Sequence, residues 1–360
     1  MRDVTRRRLI ATAAAAGIVE AGSRAADAAP SGIGYQVTIC DGHASHSTHG
    51  GLAAPGRPVT ETTLFQAASC SKTVTALAVM SLVRDGRLDL ERPVNDYLTR
   101  WTLQGRCAPR ATAAALMLHT AGTSVSGFPG YPAGAPVPTV TQILGGAAPA
   151  NTNAVRADRL FCGRYRYSGG GTTVLHLLIE EVSGRGFADY IRAAVLDPLG
   201  VSGATFDLDP AGEIALGHRA DGSGVAGGFH RYPESAAAGL WCRAADLARI
   251  MCGVVAAVRG DAGALLPQDL AQRMITPIRG RAALGVFSDR GAAIWHDGIN
   301  HGFRALMTAD LETGRVVGAL ANSDAGMTTL MHHLAEAGGS QTDRHGQSTI
   351  RTVLQFVPSR

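Results

Sequence analysis

Strand-like segments occur near both ends of this chain and are separated by a long, mainly helical stretch. Residues 34–40 alternate like a strand, and Asp41-Gly42 is a hairpin signal that leads into a second strand. Strand character returns only at residues 292–296, 303–309 and 315–321. Two early strands and three late ones therefore predict one sheet, which an inserted helical region interrupts.

The residues between these strands alternate helical periodicity with loops rich in glycine and proline. Helices are predicted over residues 70–86, 171–182, 187–196, 244–258 and about 327–335. The chain has 360 residues, of which 46% are hydrophobic, and this length favours two structural units. The predicted division is an α/β sheet domain formed by 29–99 and 281–340, a mainly helical domain at 100–280, and a C-terminal tail at 341–360.

Residues 1–28 match a twin-arginine export signal. Arg6-Arg7-Arg8 precedes an alanine-rich stretch that runs to Val19, and Ala26-Asp27-Ala28 provides small residues for cleavage. We therefore expect export to the periplasm or the extracellular space. Because Glu20 interrupts the apolar stretch, the alternative is a cytoplasmic protein that retains an N-terminal helix. The stretch is too short and too interrupted to predict a membrane span.

Charge and metal-ligating residues exclude several classes of function. With 33 basic and 29 acidic residues, the net charge of +4 does not indicate a protein that binds nucleic acid. The six cysteines lack the paired spacing of zinc sites, so no metal or other cofactor is expected, and sequence alone gives no disulfide pairing. His43, His46 and His49 recur at every third position, but a strand would place His46 on the opposite face from the other two. A solvated hairpin explains them better than a metal site.

Lysine is used once in the whole chain, at Lys72, and every other basic residue is arginine. An ammonium group can lose its proton where a guanidinium cannot. Ser69 lies three residues earlier, so a helix starting there would place its hydroxyl beside the Lys72 amine. The pair is a candidate activated nucleophile, and the alternative is a lysine on a solvated helix face. Cys70 would point about 100° away from Ser69 and is expected to pack inside the protein.

Three short motifs occur in the order found in a known superfamily. Ser69-Cys70-Ser71-Lys72, Tyr167-Ser168-Gly169 and His296-Asp297-Gly298 resemble the Ser-x-x-Lys, Tyr-x-Asn and Lys-Thr-Gly or His-x-Gly motifs of serine β-lactamases and penicillin-binding proteins. The residues resemble in particular the class C-like branch of esterases and D-amino-acid-specific peptidases. The resemblance runs from about residue 33 to 338. It implies an α+β fold, with an antiparallel sheet flanked by helices and an inserted helical region.

The resemblance also implies a covalent acyl-enzyme mechanism. Ser69 would be the nucleophile, Lys72 its base, Tyr167 the relay that carries the proton to the leaving group, and His296 a supporting residue. The backbone amides of Ser69 and Ile299 would form the oxyanion hole. For Lys72 to act as a base, its pKa must fall from about 10.4 to roughly 7 or 8, which burial can achieve.

Four further residues are assigned to substrate binding. Gly298 would let the substrate approach the edge of the late strand. Asp297 replaces a threonine that recognises the carboxylate of penicillins and D-Ala-D-Ala peptides, and its own charge would repel that carboxylate. Gly169 replaces an asparagine and removes an amide that would bind an acylamino group, whereas Arg304 could restore recognition of a carboxylate. These departures favour neutral or cationic esters, amides or amino-terminal peptides over β-lactams.

The sequence thus predicts a serine hydrolase acting on a small-molecule or short-peptide acyl substrate, as an esterase, a D-amino-acid peptidase or a β-lactamase-like enzyme. An acyltransferase that uses the same acyl-enzyme fits the residues equally well. A third hypothesis is a non-catalytic receptor or scaffold that has the same fold. The presence of Ser69, Lys72 and Tyr167 together argues against it.

Overall fold

A computed structural model describes residues 32–41, 44–158, 162–290 and 292–338. The strands are β1 (Tyr35–Asp41), β2 (Ala44–Gly50), β3 (Leu52–Ala54), β4 (Arg57–Pro58), β5 (Phe65–Gln66), β6 (Trp241–Cys242), β7 (Phe287–Asp289), β8 (Ala293–Asn300), β9 (Phe303–Asp310) and β10 (Arg315–Ala321). The α-helices are α1 (Ser71–Arg84), α2 (Ala113–Met117), α3 (Val140–Gly145), α4 (Gly169–Ser183), α5 (Phe187–Ile191), α6 (Ser235–Ala238), α7 (Ala244–Arg259), α8 (Gln268–Ile275) and α9 (Gly326–Gly338). Short 3-10 turns span Ala68–Cys70, Val94–Asp96 and Ala108–Arg110, and a π-helical turn spans Arg192–Leu196.

The strands from the two ends of the chain lie side by side. Within the described residues, six of them form one antiparallel sheet in the order β2-β1-β10-β9-β8-β7. The first strand pairs with the last, so that Tyr35 is opposite Ala321 and Asp41 is opposite Arg315. This pairing confirms the predicted mixed fold, in which an antiparallel sheet is built from both ends of the chain.

The two faces of the sheet are covered by different helices. One face carries Val37, Leu306 and Val317 and packs against Leu330 of α9. The other face belongs to the main apolar core and packs against α7, which contacts β1, β9 and β10. Helix α1 lies within that core and is buried on nearly every side, and its buried hydroxyls, such as those of Ser71, Thr75 and Ser81, donate to backbone carbonyls. Its first turn is thereby held at the end of the sheet where β8 and β9 lie.

The region between the early and late strands is mainly helical, as the periodicity indicates. Most predicted helices are found within a few residues of their expected bounds. The predicted helix 187–196 changes to a π-helical turn at Arg192. Strand β8 continues past its predicted end at His296 as far as Asn300, because β9 pairs with all of it. The division into a sheet domain and an inserted helical domain stays a prediction.

Several residues join segments that are far apart in sequence. Cys107 and Cys162 form a disulfide, a pairing that the sequence could not provide. The side chain of Asn322 accepts a hydrogen bond from the Gly34 amide at 2.7 Å and donates to the carbonyls of Leu52 and Leu216 at 3.0 and 2.8 Å. In the part of the chain that the structure describes, no helix is long and apolar enough to cross a membrane.

Candidate active site

The turn that carries Ser69 is fixed by contacts on both sides. It forms the 3-10 turn at the start of α1, where Ala68 has a φ of 47°, a conformation that non-glycine residues seldom adopt. The Ser71 hydroxyl donates to the Ala68 carbonyl at 2.6 Å and accepts from the Leu240 amide at 3.0 Å. A strained backbone held by its surroundings is common at functional sites. Here it presents the half-buried Ser69 side chain at the start of the helix.

The Lys72 amine is buried beside Ser69. Its Nζ lies 3.0 Å from the Ser69 Oγ and 2.7 Å from the Ala237 carbonyl oxygen at the end of α6. Only 4% of the residue is exposed, and among the described residues it makes no ion pair. Burial lowers the pKa of Lys72 to about 7, although the nearby Cys70 and Asp297 act in the opposite direction. The amine can therefore exist in its neutral form near neutral pH.

The phenol of Tyr167 completes a cluster with these two groups. It forms a hydrogen bond with the Ser69 side chain, and Lys72 Nζ lies 5.1 Å from the centre of the tyrosine ring. Burial raises the pKa of Tyr167, so the phenol keeps its proton. Ser168 follows and caps α4, because its hydroxyl accepts from the Gly171 amide at 2.9 Å and donates to the Ser124 carbonyl at 2.7 Å. The three groups proposed from sequence thus lie together.

His119 also belongs to this cluster, although no role was predicted for it. Its ring packs on Tyr167 with 4.4 Å between ring centres, and its Nδ1 accepts from the Ser168 amide at 3.2 Å. Burial lowers the pKa of His119 to about 3, so the ring is neutral and supports the phenol without adding charge. The sequence could have indicated this residue, because the segment His119-Thr120-Ala121-Gly122 resembles one found in the superfamily whose motifs the chain carries. In the structure His119 adopts a φ of 57°.

Strand β8 borders the cluster through His296 and Gly298, which face the main core. A side chain at Gly298 would place its Cβ 2.3 Å from the Ala67 carbonyl oxygen, so glycine lets the strand lie against the Ser69 turn. The ring centre of His296 lies 6.4 Å from that of Tyr167. Burial lowers the pKa of His296 to about 4, which makes this ring neutral as well. Cys70 is fully buried, as expected, and its thiol donates to the His296 carbonyl at 3.6 Å.

The register of β8 determines where its other groups point. Asn300 and Phe303 close a two-residue turn, so the next pair, Ile299 and Arg304, is not hydrogen-bonded. The Ile299 amide therefore points away from β9. On that side, pairing with β7 ends at Trp295, and no described strand lies beyond the rest of β8. The amide is thus free to point at a ligand along this edge.

A family model described as Beta-lactamase matches residues 19–337. The chain belongs to the β-lactamase family. A segment of 69 residues is 42% identical to esterase EstB from Burkholderia gladioli, and it covers 19% of this chain and only 18% of that esterase. The chain is also similar to the solved structure of SurE, with 26% sequence identity and a TM-score of 0.67. The match covers 86% of this chain and 72% of SurE. A penicillin-binding protein from Bacillus halodurans, 20% identical over 84% of this chain and 95% of its own, has the same fold with a TM-score of 0.68.

Within this β-lactamase-family fold, the two charged residues assigned to substrate binding, Asp297 and Arg304, have different surroundings. Asp297 is half-buried on the part of β8 that extends beyond its pairing with β7, and its carboxylate makes no hydrogen bond or ion pair with the described residues. Arg304 instead directs its Nη1 to the carboxylate of Asp324 at 3.1 Å and to the carbonyls of Phe303 and Asn300 at 2.8 and 3.2 Å. Its charge is therefore already matched within the protein.

One further buried group of this β-lactamase-family protein lies beside the helix that holds Lys72. Glu234 immediately precedes α6 and is fully buried, and neither of its carboxylate oxygens has a hydrogen-bond partner among the described residues. Burial raises the pKa of Glu234 to about 7. Three residues on, the Ala237 carbonyl contacts the Lys72 amine. The sequence offered no signal for this carboxyl group, since a lone glutamate before four small residues looks like an exposed helix start.

Proposed function

We propose that the protein is a serine hydrolase that cleaves an ester or an amide through a covalent acyl-enzyme. The observation that carries this proposal is the 3.0 Å separation of Lys72 Nζ and Ser69 Oγ at a buried position where the pKa of the amine is lowered to about 7. Membership of the β-lactamase family and the local similarity to an esterase support it.

In the proposed reaction, neutral Lys72 accepts the proton of Ser69 while the serine oxygen attacks the substrate carbonyl. The oxyanion that forms accepts hydrogen bonds from the amides of Ser69 and Ile299. The C–O or C–N bond to the leaving group then breaks as the leaving group takes a proton through Tyr167, which Lys72 replenishes. Water attacks the resulting ester of Ser69 by the same steps in reverse, releasing the acid and restoring the serine.

The charge of the site indicates which substrates fit. The two histidines of the cluster are neutral, Lys72 loses its charge near pH 7, and the Asp297 carboxylate has no partner among the described residues. A cationic or neutral substrate matches this charge, whereas the carboxylate of a β-lactam would lie beside an unpaired anion. Asp297 thus acts as a selectivity residue, and Arg304 does not offset it because it is paired with Asp324.

We also propose that the protein is exported to the periplasm or the extracellular space. The disulfide between Cys107 and Cys162 supports it, because such bonds persist in oxidising compartments. The candidate signal at residues 1–28 lies outside the described residues.

A fluorophosphonate probe tests the proposed nucleophile. We expect the purified protein to be labelled, Ser69→Ala to abolish labelling, and Ser81→Ala to retain it, since Ser81 is a buried serine of the same helix that bonds only within the helix. The absence of labelling in the folded protein would favour a non-catalytic receptor. Hydrolysis of short-chain esters, D-aminoacyl amides and a chromogenic cephalosporin then ranks the substrate classes, and added alcohols reveal any acyl transfer.

A further inference from the structure

Three consecutive glycines begin α4 directly after Tyr167 and Ser168, and the loop at residues 123–128 lies on them. A Cβ at Gly170 would be 2.6 Å from the Ser124 carbonyl oxygen, and one at Gly171 would be 2.7 Å from Thr123 Oγ1. The amides of Gly169 and Gly170 donate to the carbonyls of Ser126 and Val125 at 3.0 and 2.9 Å. Only residues without side chains allow this approach, so the glycines fix the loop against the helix start.

The loop brings Phe128 over Gly169. A Cβ at Gly169 would lie 2.8 Å from the Phe128 ring, so the ring occupies the space that a side chain at position 169 would fill. That position is two residues from Tyr167, and in the family pattern it carries an asparagine. The ring is half-buried, and within the described residues Phe128 belongs to neither apolar core. Packing in the interior therefore does not explain the aromatic ring.

Val125, in the same loop, has a φ of 62°, which is unfavourable for a β-branched residue. Strain of this kind persists only where the surroundings impose it, and here the hydrogen bonds to α4 do so. The position of Phe128 is consequently set by the fold rather than by free movement of the loop.

We propose that Phe128 is a specificity-determining residue that forms an apolar wall of the acyl pocket. Its ring fills the space in which the family pattern has the asparagine side chain of position 169. Ile299, whose amide is proposed for the oxyanion hole, adds an apolar side chain that is 52% exposed. Esters and amides of plain aliphatic or aromatic acids are therefore preferred to those whose acyl group bears an amide nitrogen. An acylamino group would lose its hydrogen bonds to water against this wall without gaining a partner.

This inference rests on the proposed acyl-enzyme, so its test separates the two. The probes are the 4-nitrophenyl esters of hexanoic acid and of N-acetylglycine. We expect Phe128→Ala to lower kcat/KM for the hexanoate by about 10-fold and to change the N-acetylglycine ester little. The double variant Phe128→Ala/Gly169→Asn, in which the ring no longer occupies the space of the new side chain, should shift the ratio of the two kcat/KM values by about 10- to 100-fold toward the N-acetylglycine ester.

Controls keep the result interpretable. Leu52→Ala removes another exposed apolar side chain, on β3, and should leave the ratio unchanged. Phe128→Leu, which keeps an apolar wall, should retain the preference and replaces the alanine variant if that one does not fold. Fluorophosphonate labelling of every variant reports whether Ser69 stays reactive. An unchanged ratio in labelled variants, or an equal loss with both esters, overturns the role of Phe128 and leaves the acyl-enzyme standing, whereas an unlabelled wild-type protein overturns both.

Discussion

Lys72 and Arg304 are two basic residues near the same end of the sheet, and they differ in whether a carboxylate balances their charge. The guanidinium of Arg304 is paired with Asp324, and both side chains keep 16% of their surface exposed. The Lys72 amine is more deeply buried and contacts only an uncharged hydroxyl and a carbonyl within hydrogen-bond distance. Glu234 resembles Lys72 in being buried without an ion-pair partner among the described residues, and its carboxylate lacks hydrogen-bond partners there as well.

This contrast distinguishes a charge that stabilises the fold, at Arg304, from charges that burial makes unfavourable, at Lys72 and Glu234. The carboxylate of Asp324 stabilises the cation at Arg304, whereas burial without an anionic partner favours the neutral form of the Lys72 amine. Lowering the pKa of Lys72 from 10.5 to about 7 corresponds to about 5 kcal/mol against the charged form. Such an arrangement is expected where chemistry needs a base, and it is absent at Arg304 because an ion pair there fixes the turn between β8 and β9.

Replacing the unpaired amine by a permanent cation should have the largest effect. We expect Lys72→Arg to lower kcat/KM about 10³-fold, because arginine cannot take the proton of Ser69. In the wild-type protein the rate should rise with pH through about 7, as Lys72 loses its proton, and then level off. Steady-state kinetics from pH 5 to 9 test both statements.

Two variants serve as controls for that experiment. Arg92→Lys exchanges the same residue types in an exposed ion pair and should leave the activity unchanged. Lys72→Met removes the buried amine and should give a folded, inactive protein. Near-wild-type activity in Lys72→Arg would remove Lys72 from the mechanism.

The second effect concerns the stability contribution of Glu234. Burial raises its pKa from 4.5 to about 7, so its contribution to stability is present below pH 4.5 and is lost as the pH rises through about 7. Glu234→Gln keeps the shape without the charge. It should therefore be more stable than the wild type by about 3 kcal/mol at pH 8 and equally stable at pH 4. Urea unfolding at both pH values measures this, and a difference that does not vary with pH would contradict it.

The smallest effect is expected from breaking the paired site. Asp324→Asn leaves the Arg304 guanidinium without its carboxylate and should lower the free energy of unfolding by about 2 kcal/mol. The rate should change less than about 3-fold, since this carboxylate contacts Arg304, Arg219 and the Gly302 amide and none of the proposed catalytic groups. Urea unfolding and ester hydrolysis provide the two measurements, and Asp221→Asn, at an exposed carboxylate, is the matched control. A large loss of activity with unchanged stability would show that the ion pair acts on the site itself.

Much of this arrangement could be predicted from local patterns. The helix that begins after Ser69 and the late strands follow from periodicity, because side chains three or two residues apart share a face in these elements. The prediction ended β8 at His296, since Gly298 and Asn300 weaken a strand signal, and only pairing with β9 extends it to the residue whose amide is proposed for the oxyanion hole. His119 and Glu234 were missed for a related reason, because their effect depends on burial by distant segments.

The sequence by itself determined the order of the three motifs, the mixed fold and the unusual single lysine, since these depend on residue types and on their short-range spacing. Only the tertiary structure decided that Lys72 is buried beside Ser69 and Tyr167, that Phe128 covers Gly169, and that Arg304 is paired with Asp324. The physical reason is that a pKa, a pocket wall and an ion pair are set by contacts between residues far apart in the chain. Those contacts come into being only when the strands of the two ends meet in one sheet.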